Sequence, residues 1–437
     1  MAAQSLQFDV VIVGAGPAGM MAAIAAARGG ARVAVVDRLH QPGTKLLATG
    51  GGRCNLTNTL KRGGIMAHFG RHGEFMLPAL EMMDTQGICQ FFARLGVRTH
   101  AADGFHVFPV SERAADVQQA MQRECEKLNV QFIFRTCATG VVVREGFATG
   151  IRAQWVQIDG RGLSVEPVMV SAARVILAAG GQSYPELGSD GSGFRLAGDV
   201  GHRIIQPVPA LVPLIALESW AGSCAGIVVS PARVWIEFAA GVKCRRPISA
   251  TTPATACWGE LLFTHKGISG PAALDISGDV AASGRARVPV KIDLTPDTPA
   301  EAWAARIDDW QRSAGKKAIR NLLDAHLPGR LAATVCRLAG IEPSAHPAEV
   351  TRPQRQALAE LITRLPLTIT RTEGFSKAIV TRGGVDLREV DPDTLESQFV
   401  DGLHFAGEIL DLDGPTGGYN LTWAFASGWL AGSACAG

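Results

Sequence analysis

The sequence carries little charge. Asp, Glu, Lys and Arg make up 19% of its 437 residues, and 42 Lys plus Arg against 40 Asp plus Glu leave a net charge of +2. So even a balance excludes a strongly basic nucleic-acid coat and an acidic tail, though not a local basic patch. Tyrosine is scarcer still, with only Tyr184 and Tyr419. The nine cysteines (Cys54, Cys89, Cys125, Cys137, Cys224, Cys244, Cys257, Cys336 and Cys435) form no C-x-x-C pair and are odd in number. That excludes a zinc scaffold and a secreted disulfide framework, and it fits a reducing, cytoplasmic setting. There is no P-loop, no G-x-S-x-G, no metal-ligand spacing, no internal repeat and no low-complexity tract.

One long uncharged run, residues 10–27, has the length of a membrane span. Met1–Asp9 contains no basic residue to make it a signal peptide, and G-A-G-P-A-G sits near its start. A soluble strand, turn and helix is expected there instead.

What the sequence has in excess is glycine, 50 residues, well above the usual ~7%. It falls in short loops without a collagen period. Hydrophobic residues at 47% are enough for a sizeable core, and the length suggests two or three domains at ~150 residues each. Phe8–Val13 reads as a buried parallel strand, Pro17–Arg28 as a helix and Arg32–Val36 as the next strand, together one βαβ unit. A long loop, residues 41–58, follows, of the kind that usually has a function. Helices are expected at 76–95 and 114–128. Strands are expected at 130–135, 140–144, 150–158, 165–170 and 174–178. From about residue 204 prolines punctuate short strand candidates, including Ala232–Phe238 and Val288–Ile292, which predicts a β-rich insert. Residues 299–338 read as helical, and an apolar helix, Leu421–Ala434, closes the chain.

Gly14, Gly16 and Gly19 form G-x-G-x-x-G between that first strand and helix, with Pro17 and Ala18 opening the helix. The first glycine permits the tight turn, the second lets a pyrophosphate approach the backbone, and the third lets helix and strand pack closely. The helix N-terminus offers free N–H groups and partial positive charge. Asp37 ends the second strand, where a carboxylate accepts from ribose hydroxyls and repels a 2′-phosphate; Arg38 follows it. FAD or NAD is therefore favoured over NADP. Further glycine-rich segments at 50–58, 178–192 and 405–420 suit the longer FAD, whose flavin and ribityl chain need extra loops. No second strand–G-x-G-x-x-G–helix unit is present for a separate NAD(P)H domain.

Seven segments carry a resemblance. They are G-A-G-P-A-G (14–19), K-L-L-A-T-G-G-G-R-C-N-L-T-N (45–58), F-P-V-S-E-R-A (108–114), A-A-G-G-Q-S-Y-P (178–185), G-S-D-G-S-G (188–193), L-L-F-T-H-K-G-I-S-G-P-A (261–272) and F-A-G-E-I-L-D-L-D-G-P-T-G-G-Y-N-L-T-W-A-F-A-S-G (405–428). Together they resemble the BaiN/RdsA-like, or aminoacetone-oxidase-like, FAD-dependent oxidoreductases over nearly the whole chain. The resemblance implies an α/β protein: a two-part Rossmann-like FAD-binding domain, residues 1–203 and 367–437, with an inserted domain of β-barrel and helices, residues 204–366.

It also implies site roles. Gly14, Gly16, Gly19 and Asp37 would bind the ADP half. Lys45, Gly51, Gly52, Arg53, Cys54 and Asn55 would lie near the pyrophosphate and flavin, with Gly180 and Gly181 in a further cofactor loop. Gly407 and Glu408 would hold the ribityl or pyrophosphate. Thr416, Gly417, Gly418, Tyr419 and Asn420 would bring a helix N-terminus to the pyrimidine edge of the flavin, where reduced flavin carries negative charge. Lys377 and Arg382 depart from the pattern, which puts the substrate in question more than the cofactor.

The resemblance further implies reduction of a conjugated C=C, in a uracil of 23S rRNA or in a small enone, with NAD(P)H as a transient donor. Two rivals stand beside it: an oxygen-using amine oxidase, and a flavin-bearing RNA-binding or assembly protein without turnover. Cys54, Tyr184 and Tyr419 are the candidate proton donors, each with a packing role as the alternative. His265 and His202 read as structural, and Asp411 and Asp413 as turn organisers. Between Arg312 and Arg337 lie six basic residues, among them Lys316, Lys317 and Arg320. With Lys316 and Arg320 four apart on one helical face, they form either an RNA-phosphate patch or a solvated face.

Overall fold

A computed structural model describes residues 5–159, 162–237 and 256–436. Phe238 and Cys244, with Pro247 and Pro253 of the expected insert, lie outside the described residues. The chain divides into two compact units, one of residues 1–208 with 379–437, the other of residues 209–378.

The first unit is built on a seven-stranded sheet. Ser5–Val13 pairs in parallel with Val33–Val36 on one side and with the second half of Gly162–Leu177 on the other. Gln131–Ile133 extends the sheet in parallel beyond Val33–Val36, and Leu403–Phe405 pairs in parallel with the end of Gly162–Leu177. Val10–Ile12 and Val33–Val36 are buried as continuous apolar runs, as strands covered on both faces must be. The strands Thr136–Arg144 and Phe147–Asp159 continue the sheet as an antiparallel meander.

Two expectations change here. The strands expected at 165–170 and 174–178 are one strand, because Ser171 and Ala172 between them pair with Gln7 and Phe8. The helix expected at 76–95 is two, Leu77–Met82 and Thr85–Arg94, because the Asp84 carboxylate accepts from Gly87 N–H and starts a new helix.

The first helix, Pro17–Arg28, packs on the last, Tyr419–Ala434. Gly428 and Gly432, one turn apart, make the approach possible. A Cβ on either would stand 2.3 and 2.2 Å from the carbonyl oxygens of Ala18 and Ala22.

The second unit contains a closed antiparallel barrel. Its strands, in order around it, are Leu214–Ala216, Gly267–Ser269, Cys257–Phe263, Val228–Ile236, Val288–Asp293 and Leu365–Thr372. The strand Leu365–Thr372 thus belongs to the barrel, and the second unit runs on to Ala378. Residues 299–338 form three helices, Ala300–Ser313, Ile319–Leu323 and Gly329–Leu338, whose Trp303, Ile307, Leu331 and Val335 join the barrel core. Lys316 lies in the turn before Ile319, so it does not share a helical face with Arg320 as expected; Gly315, at φ +59°, breaks the helix, and Lys317 lies outside it too. All three are exposed. No disulfide joins two described cysteines. No helix among the described residues is long and apolar enough to cross a membrane.

Candidate functional site

The glycine-rich segments meet in the first unit, and each junction can be traced to particular atoms. Gly14 takes φ +106°, and a Cβ there would stand 2.4 Å from Ala178 O; a Cβ on Gly19 would stand 1.8 Å from Gly14 O. Both glycines are therefore required for close approach, one between the 14–19 turn and the 178–181 loop, the other between helix and turn. Gly16 differs. Its φ of −75° is open to any residue, and a Cβ on it would meet nothing within 4 Å. No side chain caps the head of the first helix, and its first turn holds no acid. Bare N–H groups beside a cradle that a side chain would fill fit a phosphate.

Asp37 holds this turn in shape. Its carboxylate accepts from Ala15 N–H at 2.7 Å and from Leu39 N–H at 2.8 Å. Burial pushes its carboxyl above the usual range, against those two hydrogen bonds. Arg38 pairs with Asp190, tying the turn after the second strand to the 188–193 loop.

A second cluster joins three loops. Lys45 Nζ donates to Ser183 Oγ at 2.7 Å and to Glu408 Oε2 at 2.8 Å. Glu408 Oε1 accepts from Ser183 Oγ at 2.9 Å and from Thr381 N–H at 2.7 Å. Thr381 Oγ1, fully buried, accepts from Gln182 N–H. Gly181 is required here, since a Cβ would stand 2.4 Å from Thr381 Oγ1. Gly180 (φ +73°) faces Ser189, and Gly407 (φ +78°) packs on Ala18. The Gly407 carbonyl accepts from Trp423 Nε1 at 3.1 Å. Tyr184 adjoins Ser183 with φ +52°, a left-handed conformation uncommon for tyrosine.

The third junction joins the 50–58 loop to the head of the last helix. Gly50 and Gly51 are left-handed within Thr49–Gly52, and Gly52 is at φ +87°. In the amide orientation that satisfies both ends, Asn55 donates to Thr57 O and accepts from Gly418 N–H at 3.1 Å. Asn58 Nδ2 donates to Gly417 O at 2.9 Å, and the Thr57 and Thr422 hydroxyls share a hydrogen bond of 2.8 Å. Asn420 turns its amide back on Gly414 and Pro415, so it shapes the loop that contains Thr416. Arg53 is exposed, stacked 4.5 Å over the Phe108 ring and paired with Glu112 at 3.2 Å.

Two of the three candidate proton donors are shut in. Cys54 has no exposed surface, and burial pushes its thiol up to about 12. Tyr419 is 3% exposed, its ring covered by His68 at 4.7 Å between centroids and flanked by Phe69 and Phe105. Beside them lies a group that sequence reading missed. His106 Nδ1 bonds Asp103 Oδ2 at 2.5 Å, and a Cβ on Gly417 would stand 3.6 Å from His106 Nε2. Ser183, Thr381 and the buried pair Arg382–Asp413, bonded at 3.1 Å, were likewise missed as partners. Asp411 accepts from Gly383 N–H, so both aspartates hold the 380–385 strand. His202 is buried between Phe399 and Phe405, bonded to Ser397, and burial lowers its pKa.

Residues 8–434 match the family described as HI0933-like protein Rossmann domain. The chain belongs to that family. It is 34% identical over 432 residues to the 3-dehydro-bile acid delta(4,6)-reductase of Clostridium scindens, with 97% of this chain and 98% of that protein covered. It is 31% identical over 423 residues to the ribosomal RNA dihydrouridine synthase of Escherichia coli, with 97% and 96% covered. Among solved structures, it shares its fold with the 3-ketosteroid-delta4-(5alpha)-dehydrogenase of Rhodococcus jostii at TM-score 0.51 and 18% identity, covering 99% of this chain and 97% of that one. This HI0933-like chain is an oxidoreductase of the flavoprotein type, and its architecture is the Rossmann-type fold with a closed barrel that its sequence led us to expect.

Proposed function

We propose that the chain binds FAD in the first unit and reduces a carbon–carbon double bond conjugated to a carbonyl, drawing electrons from a nicotinamide donor. The observation that carries this is the meeting of loops from both ends of the chain around one bare helix head at Gly16. Gly14, Gly16, Pro17, Ala18 and Gly19 would hold the pyrophosphate on backbone N–H groups, and Asp37, which keeps lone pairs free beyond its two backbone bonds, would take the ribose. Lys45 and Glu408, already fixed by Ser183 and Thr381, would line the ribityl stretch. Gly50–Asn55 and Thr416–Asn420 would enclose the ring, with the positive end of the last helix at its pyrimidine edge. When bound, FAD supplies the two-electron carrier that accepts hydride from the donor and yields it to the acceptor.

The relatives' names share one chemistry, addition of two hydrogens across a C=C beside a carbonyl, in a bile acid or in a uridine. For an RNA acceptor, Lys316, Lys317 and Arg320 form the proposed phosphate contact. A cytoplasmic setting completes the proposal, supported by the lack of a disulfide between any two described cysteines.

The test is anaerobic titration of the purified protein with NADH and with NADPH, followed by addition of 4-androstene-3,17-dione or of ribosomal RNA lacking dihydrouridine. Bleaching by a nicotinamide and return of colour with either acceptor is the expected result. A colourless protein that takes up no FAD overturns the cofactor; rapid return of colour only in air, with peroxide release, overturns the acceptor.

A further inference from the structure

The proposed reduction needs a proton as well as a hydride, and the geometry points to His106, held by Asp103, as the group that delivers it. This rests on the C=C reading above. The strand His106–Pro109 pairs with Thr57–Asn58, the same short strand that is bonded to the head of the last helix. That pairing fixes His106 against Gly417, with Nε2 on the glycine side. On its other side, Asp103 takes three hydrogen bonds: from His106 Nδ1 at 2.5 Å, from His106 N–H at 2.8 Å and from Phe105 N–H at 2.9 Å. The His106 hydrogen bond first, and the two backbone N–H groups after it, hold the Asp103 carboxyl well below the usual range. Asp103 is thus a fixed negative charge that orients the imidazole.

Accessibility separates His106 from two of the three other candidates, Cys54 and Tyr419. A proton donor to an external acceptor must reach solvent or substrate. The Cys54 and Tyr419 side chains do not, whereas the His106 side chain is 39% exposed. The Phe105 ring meets the His106 ring edge-on, Asp103 bonds it, and across Gly417 lies Tyr419 with His68 upon it.

In the balanced step, the acceptor carbon next to the carbonyl takes the proton from His106 Nε2 while its neighbour takes the hydride. C=C becomes CH–CH, and both electrons come originally from the nicotinamide donor. The imidazole left behind is the Nδ1–H tautomer, which Asp103 accepts from, and it regains its proton from solvent. His106 is then a catalytic residue and Asp103 a positioning residue.

The test separates the half-reactions. His106→Gln is expected to keep its FAD, its melting temperature and its rate of bleaching by the nicotinamide. Its reoxidation by 4-androstene-3,17-dione, or by RNA lacking dihydrouridine, should slow about 100-fold or more. Asp103→Asn should also slow that step, and Asp103→Glu should recover part of the rate. A readout without turnover is carbethoxylation by diethyl pyrocarbonate, mapped by mass. His106 should be modified in the holoenzyme and shielded by the bound steroid, while exposed His326 is modified equally with and without it. Reoxidation of His106→Gln within about twofold of the parent rate, or no shielding, overturns the assignment. A parent enzyme that neither acceptor reoxidises overturns the C=C reading itself, and the assignment with it.

Discussion

The heads of the first and last helices look alike in sequence and sit in opposite surroundings. Each begins at a glycine, carries no acid in its first turn and has no side-chain cap. At Gly16 the backbone is ordinary and the space around it open. At Gly418 the backbone is left-handed (φ +84°), and a Cβ would stand 2.6 Å from the Thr57 backbone. Gly417 and Gly418 are also bonded by Asn58 and Asn55. One head is open; the other is bonded into a seam with the 50–58 loop. A glycine at a helix start therefore says nothing about its use until its φ and its neighbours are known.

Substitutions can break this contrast. Gly418→Ala should have the largest effect. Both its φ and the clash with Thr57 oppose the new methyl, so a loss of about 3 kcal/mol or more is expected in thermal or urea unfolding. Gly16→Val should leave the apo protein's melting temperature nearly unchanged, yet the protein should purify without colour because the side chain fills the cradle. If Gly16→Val retains a full flavin spectrum, the two heads are not used differently. Asn58→Ala removes a buried amide from Gly417 O and should cost about 1–3 kcal/mol by denaturant titration. The smallest effect is expected from Cys54→Ser, with colour and turnover kept and stability lowered by about 1 kcal/mol. The native thiol, pushed up to about 12, should resist iodoacetamide at neutral pH until the protein unfolds.

What was legible in the sequence was local. Strand, glycine turn, helix and Asp37 fall within one short stretch, and each residue type has a single physical reason to be there. The break at Asp84 and the turn at Gly315 were also written locally, as a capping residue and a glycine, but an apolar or basic pattern running through them hid both. The continuity of Gly162–Leu177 depended on a partner strand more than 150 positions away. The same holds for the second cluster. Lys45 and Glu408 were marked as site residues, but Ser183 and Thr381, which fix them, are ordinary hydroxyl residues whose relevance appears only when distant loops meet. The contact of His106 with Gly417 is likewise long-range, whereas its bond to Asp103, only three positions away, rests on the Asp103-Gly104 turn, which the sequence does signal.

The seating of Gly428 and Gly432 on Ala18 and Ala22 has a consequence for biosynthesis. During translation the βαβ unit can form its turn early, but the helix that must lie against it is made about 400 positions later. Until then the early helix presents a bare apolar stripe, and the nucleotide would find only part of its enclosure. Chains truncated before the helix Tyr419–Ala434 should therefore be prone to aggregate.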